Sequence, residues 1–301
     1  MENIIEFITK NEIGEYKENV SLSNNTTYKV GGTAKLFVYP KDKDKLILLL
    51  KELKFHNIKY MVLGNGSNTL FSDKEYDGVI IKLDKFDHIK YFKNTVRAEA
   101  GVNLMKLSNQ TVRRGLAGLE FATGIPGTVG GAIFMNAGAY KSDMGYITKW
   151  IKVLTPKFEI ITMTNKELNF HYRSSFLQKH RDYICLDAAF QLRQNDKDLL
   201  QEIVEDRKKR RLESQPLEYP SAGSVFRNPE NLFAGKLIED LGYKGYSIGG
   251  AQVSEKHANF IINKNNAKGQ DVKDLIDFIK KRVKEEYDVE LKCEQEFVNW
   301  E

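Results

Sequence analysis

Glu120-Phe121-Ala122-Thr123-Gly124-Ile125-Pro126-Gly127-Thr128-Val129-Gly130-Gly131-Ala132 runs straight on into Ile133-Phe134-Met135-Asn136-Ala137-Gly138-Ala139-Tyr140. A structural turn needs one or two glycines, where φ is positive or another backbone comes close. This stretch holds many more, set among apolar and small residues. Such a composition implies backbone packed against something flat or bulky. A cofactor ring system answers that description better than a turn does.

Upstream lies a second glycine loop, Leu63-Gly64-Asn65-Gly66-Ser67-Asn68-Thr69, directly after Tyr60-Met61-Val62-Leu63, which reads as a strand. Glycines at alternate positions let consecutive N–H groups turn inward around an anion, with Ser67 and Asn68 as further donors. Read alone, an ordinary tight turn explains this loop equally well. The dinucleotide fingerprint of the Rossmann fold is absent, because it needs glycine where Thr69 stands and a helix directly after; Leu70-Phe71-Ser72-Asp73 reads as loop. No Gly-Lys-Ser/Thr P-loop occurs either. Taken together, one loop suits a pyrophosphate and the other a ring system, which suggests a dinucleotide held between two subdomains.

The flanking sequence supplies the scaffold. Leu36–Tyr39 reads as a strand ended by Pro40, Asp42–His56 as a helix with Leu46, Leu49, Leu50 and Leu53 on one face, and Val79–Ile81 as a strand, a βαβ-like unit. Short strands then dominate at 96–99, 150–154, 159–162 and 184–187. One helix interrupts them, capped by Asn103, with Leu104, Leu107 and Val112 on a face and Gly115 at its exit. A long helix over 196–212 leads to a Gly/Ser/Pro-containing loop at 219–229, a short helix near 232–241, a strand at 259–263, and a last helix with Val272, Leu275, Ile276, Ile279 and Val283 in register. The fold class is α+β in three parts.

With 301 residues, 41% hydrophobic and 29% charged, the chain has the composition of a globular protein of two or three structural units. No apolar run approaches the roughly 20 residues that span a bilayer, and Met1–Glu6 lacks the features of a signal peptide. The expectation is a cytoplasmic protein without membrane insertion. Cys185 and Cys293 are the only cysteines, with no companion histidines at metal spacing; buried reduced thiols and no metal are expected. A net charge of +5 suits an anionic small molecule without requiring nucleic acid. The cations Arg207–Arg211 close a helix opened by Asp196, Asp198 and Glu202, which is macrodipole complementarity rather than a nucleic-acid patch. No obligate protein partner is evident.

Thr26-Thr27-Tyr28-Lys29-Val30-Gly31-Gly32, the Gly64–Thr69 loop and the Thr123–Ala132 loop stand in an order and spacing that resembles the FAD-binding half of the UDP-N-acetylenolpyruvoylglucosamine reductase family. That family sits in the vanillyl-alcohol-oxidase/PCMH flavoprotein superfamily, and the resemblance covers nearly the whole chain. It implies a two-subdomain PCMH-type FAD-binding fold (residues 1–90 and 91–212) plus a C-terminal α+β substrate-binding domain (213–301). It also implies non-covalent FAD, contacted by Tyr28, Val30, Gly64, Asn65, Gly66, Ser67, Asn68, Thr69, Thr123, Gly124, Ile125, Pro126, Gly127, Gly130, Gly131, Ala132, Asn136 and Gly138. NADPH would be the hydride donor. The reaction implied is reduction of UDP-N-acetylglucosamine enolpyruvate to UDP-N-acetylmuramate in cell-wall synthesis.

The same resemblance assigns the chemistry. Phe170-His171-Tyr172-Arg173-Ser174-Ser175 matches the family's Tyr-Arg motif, so Tyr172 and Arg173 would meet substrate, with Arg173 binding its carboxylate and holding developing charge. In Pro220-Ser221-Ala222-Gly223-Ser224-Val225-Phe226-Arg227-Asn228-Pro229, Ser224 matches the serine that protonates the substrate carbon and Asn228 a substrate-binding asparagine. A hydrolase elbow is excluded, because it needs glycines where Ala222 and Phe226 stand. Leu291-Lys292-Cys293-Glu294 matches Leu-x-Pro-Glu and makes Glu294 the catalytic carboxyl. Cys293 departs from the usual proline, Gln295-Glu296 from the usual valine and basic residue, and His257 from a substrate-contacting glutamine; a surface histidine is the competing reading. The short stretch from Arg173 to Ser224 resembles the compact form of the family, which lacks a substrate-covering insertion. The rival is another FAD oxidase or dehydrogenase of the superfamily. The Gly64–Asn68 loop holds no histidine or cysteine for covalent flavin attachment, and such an enzyme would have no use for Ser224 and Glu294.

Overall fold

A computed structural model describes residues 1–300, and helices and strands alternate through it as in a mixed α/β protein. Lys43–Phe55 is helical because Asp42 caps it, its carboxylate accepting from the Lys45 N–H at 2.9 Å, and because Leu46, Leu49, Leu50 and Leu53 fall on one buried face. Those leucines share a core with Leu36, Val38, Val79 and Ile81. The strands beneath order as Gly14–Ser21, Thr33–Pro40, Tyr76–Ile81, Tyr60–Val62, the last two running parallel.

Further along, a five-stranded antiparallel sheet orders Ile160–Thr164, Thr148–Leu154, Ile184–Gln191, Thr95–Glu99 and Ile89–Phe92. Asn103 caps the Leu104–Arg113 helix through the Lys106 N–H at 2.9 Å, and Gly115 beyond it takes a φ of +69°. The wholly buried Asp187 accepts from Arg97 at 3.0 and 2.8 Å and from Lys43 at 3.3 Å. It thereby ties the leucine helix to this sheet. Losing either cation would leave a buried charge only partly compensated, which is strongly destabilising.

By compactness the chain forms two units. One comprises Met1–Glu18, Leu36–Gly64 and Gly78–Lys208; the other comprises Asn19–Lys35, Asn65–Asp77 and the chain from Lys209 on. The second unit has its own core, in which Tyr28, Val30 and Leu70 join Val225, Phe226, Leu275 and Ile279. Its antiparallel sheet orders Ser221–Ser224, Phe260–Asn263, Ala251–Val253 and Ser247–Ile248. The Gly269–Tyr287 helix contributes Val272, Leu275, Ile276, Ile279 and Val283 to the core, as their spacing predicts.

Two segments expected as loop are strands. Thr69–Phe71, read as loop, is a strand parallel to Glu296–Val298; it is too short to show a period, and its partner lies at the other end of the chain. Ser221–Ser224, inside the expected 219–229 loop, is a strand with a register shift between its ends. Cys185 is buried on a strand, whereas Cys293 is half-buried and lies outside one, bridged to Phe226. Among the described residues, no helix is long and apolar enough to cross a membrane.

Candidate functional site

Of the Gly64–Thr69 loop only Gly64 belongs to the first unit, and there it meets the Thr123–Ala132 segment. Gly64 lies against Thr128, so that a Cβ at Gly64 would stand 2.8 Å from Thr128 Oγ1. Thr128 in turn caps the Val129–Met135 helix, its Oγ1 accepting from the Gly131 N–H at 3.2 Å. Sequence reading does not foresee this helix, because Gly130 and Gly131 are poor helix formers. Gly130 is explained by protein packing: its N–H donates to the Ala100 carbonyl at 2.9 Å, and a Cβ would meet Ala100 Cβ at 3.0 Å. Gly131 is exposed, with only Thr128 Oγ1 near its missing Cβ. That face of the segment is open to a ligand. Before the helix, Thr123–Gly127 forms a compact turn with Pro126 exposed, while Ala132 is buried.

Lys82, which sequence reading passed over, donates its ammonium to the Gly64 carbonyl and lies 3.6 Å from Asp84. It is 7% exposed, and burial holds its pKa below the ordinary lysine value despite Asp84. The one sequence signal was a lysine continuing the buried run Val79-Ile80-Ile81.

Asn136 ends the helix in a left-handed conformation with φ 43°. Its amide is engaged at both ends by protein: Nδ2 donates to the His171 carbonyl at 2.8 Å, and Oδ1 accepts from the Gly145 N–H at 2.9 Å. Its role here is to anchor the turn that carries Arg173. His171 and Ser174 exchange backbone hydrogen bonds of 3.0 Å, which places Tyr172 and Arg173 at the tip of a tight turn, Arg173 with φ +54°. Arg173 Nη2 donates to the Gly138 carbonyl at 2.9 Å, and Tyr172 is exposed. Gly138 is required by its hairpin, because a Cβ there would meet the Ser142 carbonyl oxygen at 2.5 Å.

In the second unit, Gly66 adopts φ +60°, and a Cβ there would come within 2.4 Å of the Asn25 carbonyl oxygen. The Thr27 N–H donates to the Gly66 carbonyl at 3.3 Å, and Thr27 Oγ1 is buried with no hydrogen-bond partner among the described residues. A buried hydroxyl without a partner is costly unless something supplies one. A tight glycine turn beside an unanswered hydroxyl fits a phosphate-bearing cofactor such as FAD. The side chains of Tyr28 and Val30 point elsewhere. They are 0% and 2% exposed in the core of this unit, so any contact they make with a cofactor is through backbone.

In the second unit the segment around Glu294 pairs with the backbone that follows Ser224. The Glu294 N–H donates to the Val225 carbonyl at 2.8 Å, Phe226 bridges Cys293, and the Arg227 N–H donates to the Lys292 carbonyl at 2.9 Å. The departures at Cys293 and Gln295 leave this antiparallel alignment intact. Asn68 joins the same cluster: its Nδ2 donates to the Glu294 carbonyl at 3.0 Å, and its own carbonyl accepts from the Glu296 N–H at 2.8 Å. Asn228 Oδ1 accepts from the Ala234 N–H at 3.1 Å at the start of the Ala234–Asp240 helix. His257 is half-buried rather than on the surface. Its Nδ1 accepts from the Asn259 N–H at 3.2 Å, which leaves the ring proton on Nε2, and burial lowers its pKa.

Chemically, the second unit carries a hydroxyl on Ser224 and a carboxyl on Glu294, whose N–H is paired with Val225, the residue after the serine. An alcohol is a weak acid but can protonate a carbon as basic as a carbanion, and a neighbouring carboxyl can support that transfer. Arg173 offers a planar fork suited to a carboxylate.

Residues 34–164 match the model of an FAD binding domain, and residues 215–298 that of the UDP-N-acetylenolpyruvoylglucosamine reductase C-terminal domain. The chain is 42% identical over 302 residues to the UDP-N-acetylenolpyruvoylglucosamine reductase of Bacillus pumilus, covering 100% of both. It is 44% identical over 299 residues to that of Halalkalibacterium halodurans, covering 99% of both. The crystal structure of UDP-N-acetylenolpyruvylglucosamine reductase from Thermus caldophilus superposes with a TM-score of 0.80 at 32% identity, covering 94% of this chain and 99% of that one.

Proposed function

The chain belongs to the UDP-N-acetylenolpyruvoylglucosamine reductase family, and on that premise we propose that it reduces UDP-N-acetylglucosamine enolpyruvate to UDP-N-acetylmuramate with FAD and NADPH, in the cytoplasm, as a step of peptidoglycan synthesis. The observation that carries this reading is the backbone pairing of Glu294 with Val225, the residue after Ser224. It supports the serine and the carboxyl as a working pair.

Hydride chemistry, from NADPH to the methylene carbon of the enol ether, is what FAD supplies when bound. Addition of hydride there leaves negative charge on the carbon that bears the substrate carboxylate. Arg173 binds that carboxylate and stabilises the charge as it spreads into it. Ser224 gives its hydroxyl proton to the carbon, which completes the addition of two hydrogens across the double bond. Glu294 supports the serine and the intermediate. Gly66 and Thr27 hold cofactor phosphate, Gly64 and the Thr123–Ala132 segment pack against the cofactor, and Tyr172, Asn228 and His257 contact the nucleotide sugar. The three-part division at residues 90 and 212 is retained as the working map of FAD-binding and substrate-binding regions.

The test is an anaerobic titration of purified protein. Flavin absorbance should bleach on NADPH and return on UDP-N-acetylglucosamine enolpyruvate, with a product heavier by two hydrogens. Acid precipitation should release FAD into the supernatant. Colour retained in the pellet, with reoxidation by oxygen alone, would contradict the reading and favour a superfamily oxidase.

A further inference from the structure

Gln295 follows Glu294 in the chain, and its side chain is 4% exposed among the apolar residues of the second unit. Burying an amide is unfavourable unless both of its ends find partners. Here they do. The Tyr28 hydroxyl, itself fully buried, lies 3.1 Å from Gln295 Oε1 and 3.0 Å from Nε2. Nε2 also donates to the Ala222 carbonyl at 3.3 Å. Burial pushes the Tyr28 phenol far above its ordinary pKa, so it stays neutral and donates its proton to Oε1. That leaves the amide N–H for Ala222.

Ala222 lies two residues before Ser224, where the strand is least supported by its own ladder. Ser221 pairs with Ile262 and Ser224 with Phe260, but the register shifts between them. Gly223 in the gap takes φ +72°, with nothing within 4 Å of its missing Cβ. Opposite it, the Glu294 backbone is held by Val225 at its N–H and by Asn68 at its carbonyl. The bond from Gln295 to Ala222 is therefore a side-chain tie between the bulge that presents Ser224 and the segment that carries Glu294.

We infer that Gln295 is a positioning residue for proton delivery: its amide, buttressed by Tyr28, fixes the bulge that sets Ser224 against Glu294. The inference rests on the reductase reading above and adds to it a residue outside the reacting set.

Two variants test it by stopped-flow measurement of the separate half-reactions on FAD-loaded enzyme. Gln295→Val fills the space but removes the tie. It should slow reoxidation by UDP-N-acetylglucosamine enolpyruvate about tenfold or more, raise the solvent deuterium isotope effect on that step, and leave bleaching by NADPH within about twofold of wild type. Gln295→Glu keeps the shape. While its buried carboxyl is protonated it can still donate to Ala222, so reoxidation should approach wild type at low pH and fall to the Gln295→Val rate as pH rises. Wild type run over the same range is the reference for titration of Glu294, Glu296, Cys293 and Tyr28. If Gln295→Val does not fold, the pH profile of Gln295→Glu decides. Wild-type reoxidation in Gln295→Val, equal slowing of both half-reactions, or a Gln295→Glu profile parallel to wild type would overturn the inference. Wild-type enzyme that the substrate cannot reoxidise would instead overturn the reductase reading, and this inference with it.

Discussion

Asn68 holds the backbone on both sides of Gln295, directly after Glu294: its side-chain amide donates to the Glu294 carbonyl at 3.0 Å, and its carbonyl accepts from the Glu296 N–H at 2.8 Å. A residue of the Gly64–Thr69 loop is thereby tied to the backbone of the residue whose carboxyl is assigned to proton transfer. Asn68→Ala should lose the side-chain bond and keep the backbone one. The expected cost is about 1 kcal/mol in stability, together with slower reoxidation of reduced enzyme by substrate. Unchanged melting and unchanged reoxidation would show that the bond does not hold Glu294 in place.

Gly66→Val tests the loop itself. The left-handed φ of +60° and the Asn25 carbonyl oxygen 2.4 Å from a would-be Cβ leave no room for a side chain. A left-handed non-glycine residue costs about 1–2 kcal/mol before any clash is counted. The variant should bind FAD about tenfold more weakly or worse, read by flavin fluorescence titration. Wild-type affinity in a folded Gly66→Val protein would reduce the loop to an ordinary turn.

His257 gives a pH prediction. Burial lowers its pKa below the ordinary value of 6.5. Between the folded value and 6.5 the unfolded chain binds the proton and the folded chain does not, so stability rises with pH across that window. The contribution is complete above 6.5 and is lost as pH falls through the folded value, where protonation of Nδ1 also breaks its bond to the Asn259 N–H. Melting temperature should therefore fall on acidification from about pH 7 to 5, and fall less in His257→Gln. Parallel curves for the two proteins would place the titration elsewhere.

Much of the fold was legible because its signals are local. The leucine face of Lys43–Phe55, the Asn103 cap and the last helix each announce themselves within a dozen residues. What escaped was long-range. Thr69–Phe71 becomes a strand only because Glu296–Val298 lies alongside it, and segments 19–35 and 65–77 join the unit formed by the C-terminal residues. The glycine-rich stretch hid a helix because Gly130 and Gly131 are poor helix formers, and Gly130 answers to Ala100, which a periodicity argument cannot place beside it. At the site, residue types and family resemblance named Ser224 and Glu294, and the Glu294 N–H is found paired with Val225, the residue after Ser224. Lys82 and Gln295 carried no motif. Their importance lies in what they touch, the Gly64 carbonyl in one case and Tyr28 and Ala222 in the other.

The most direct test of the central claim is single-turnover kinetics of Ser224→Ala. Ser224 is assigned to protonating the substrate carbon and to nothing in the reaction with NADPH. The variant should bind FAD, bleach with NADPH at close to the wild-type rate, and be reoxidised by UDP-N-acetylglucosamine enolpyruvate about 10²–10⁴-fold more slowly, equivalent to about 3–5 kcal/mol in the barrier. Reoxidation at the wild-type rate would remove Ser224 from the mechanism, and equal slowing of both half-reactions would point to a displaced cofactor instead of a lost proton donor.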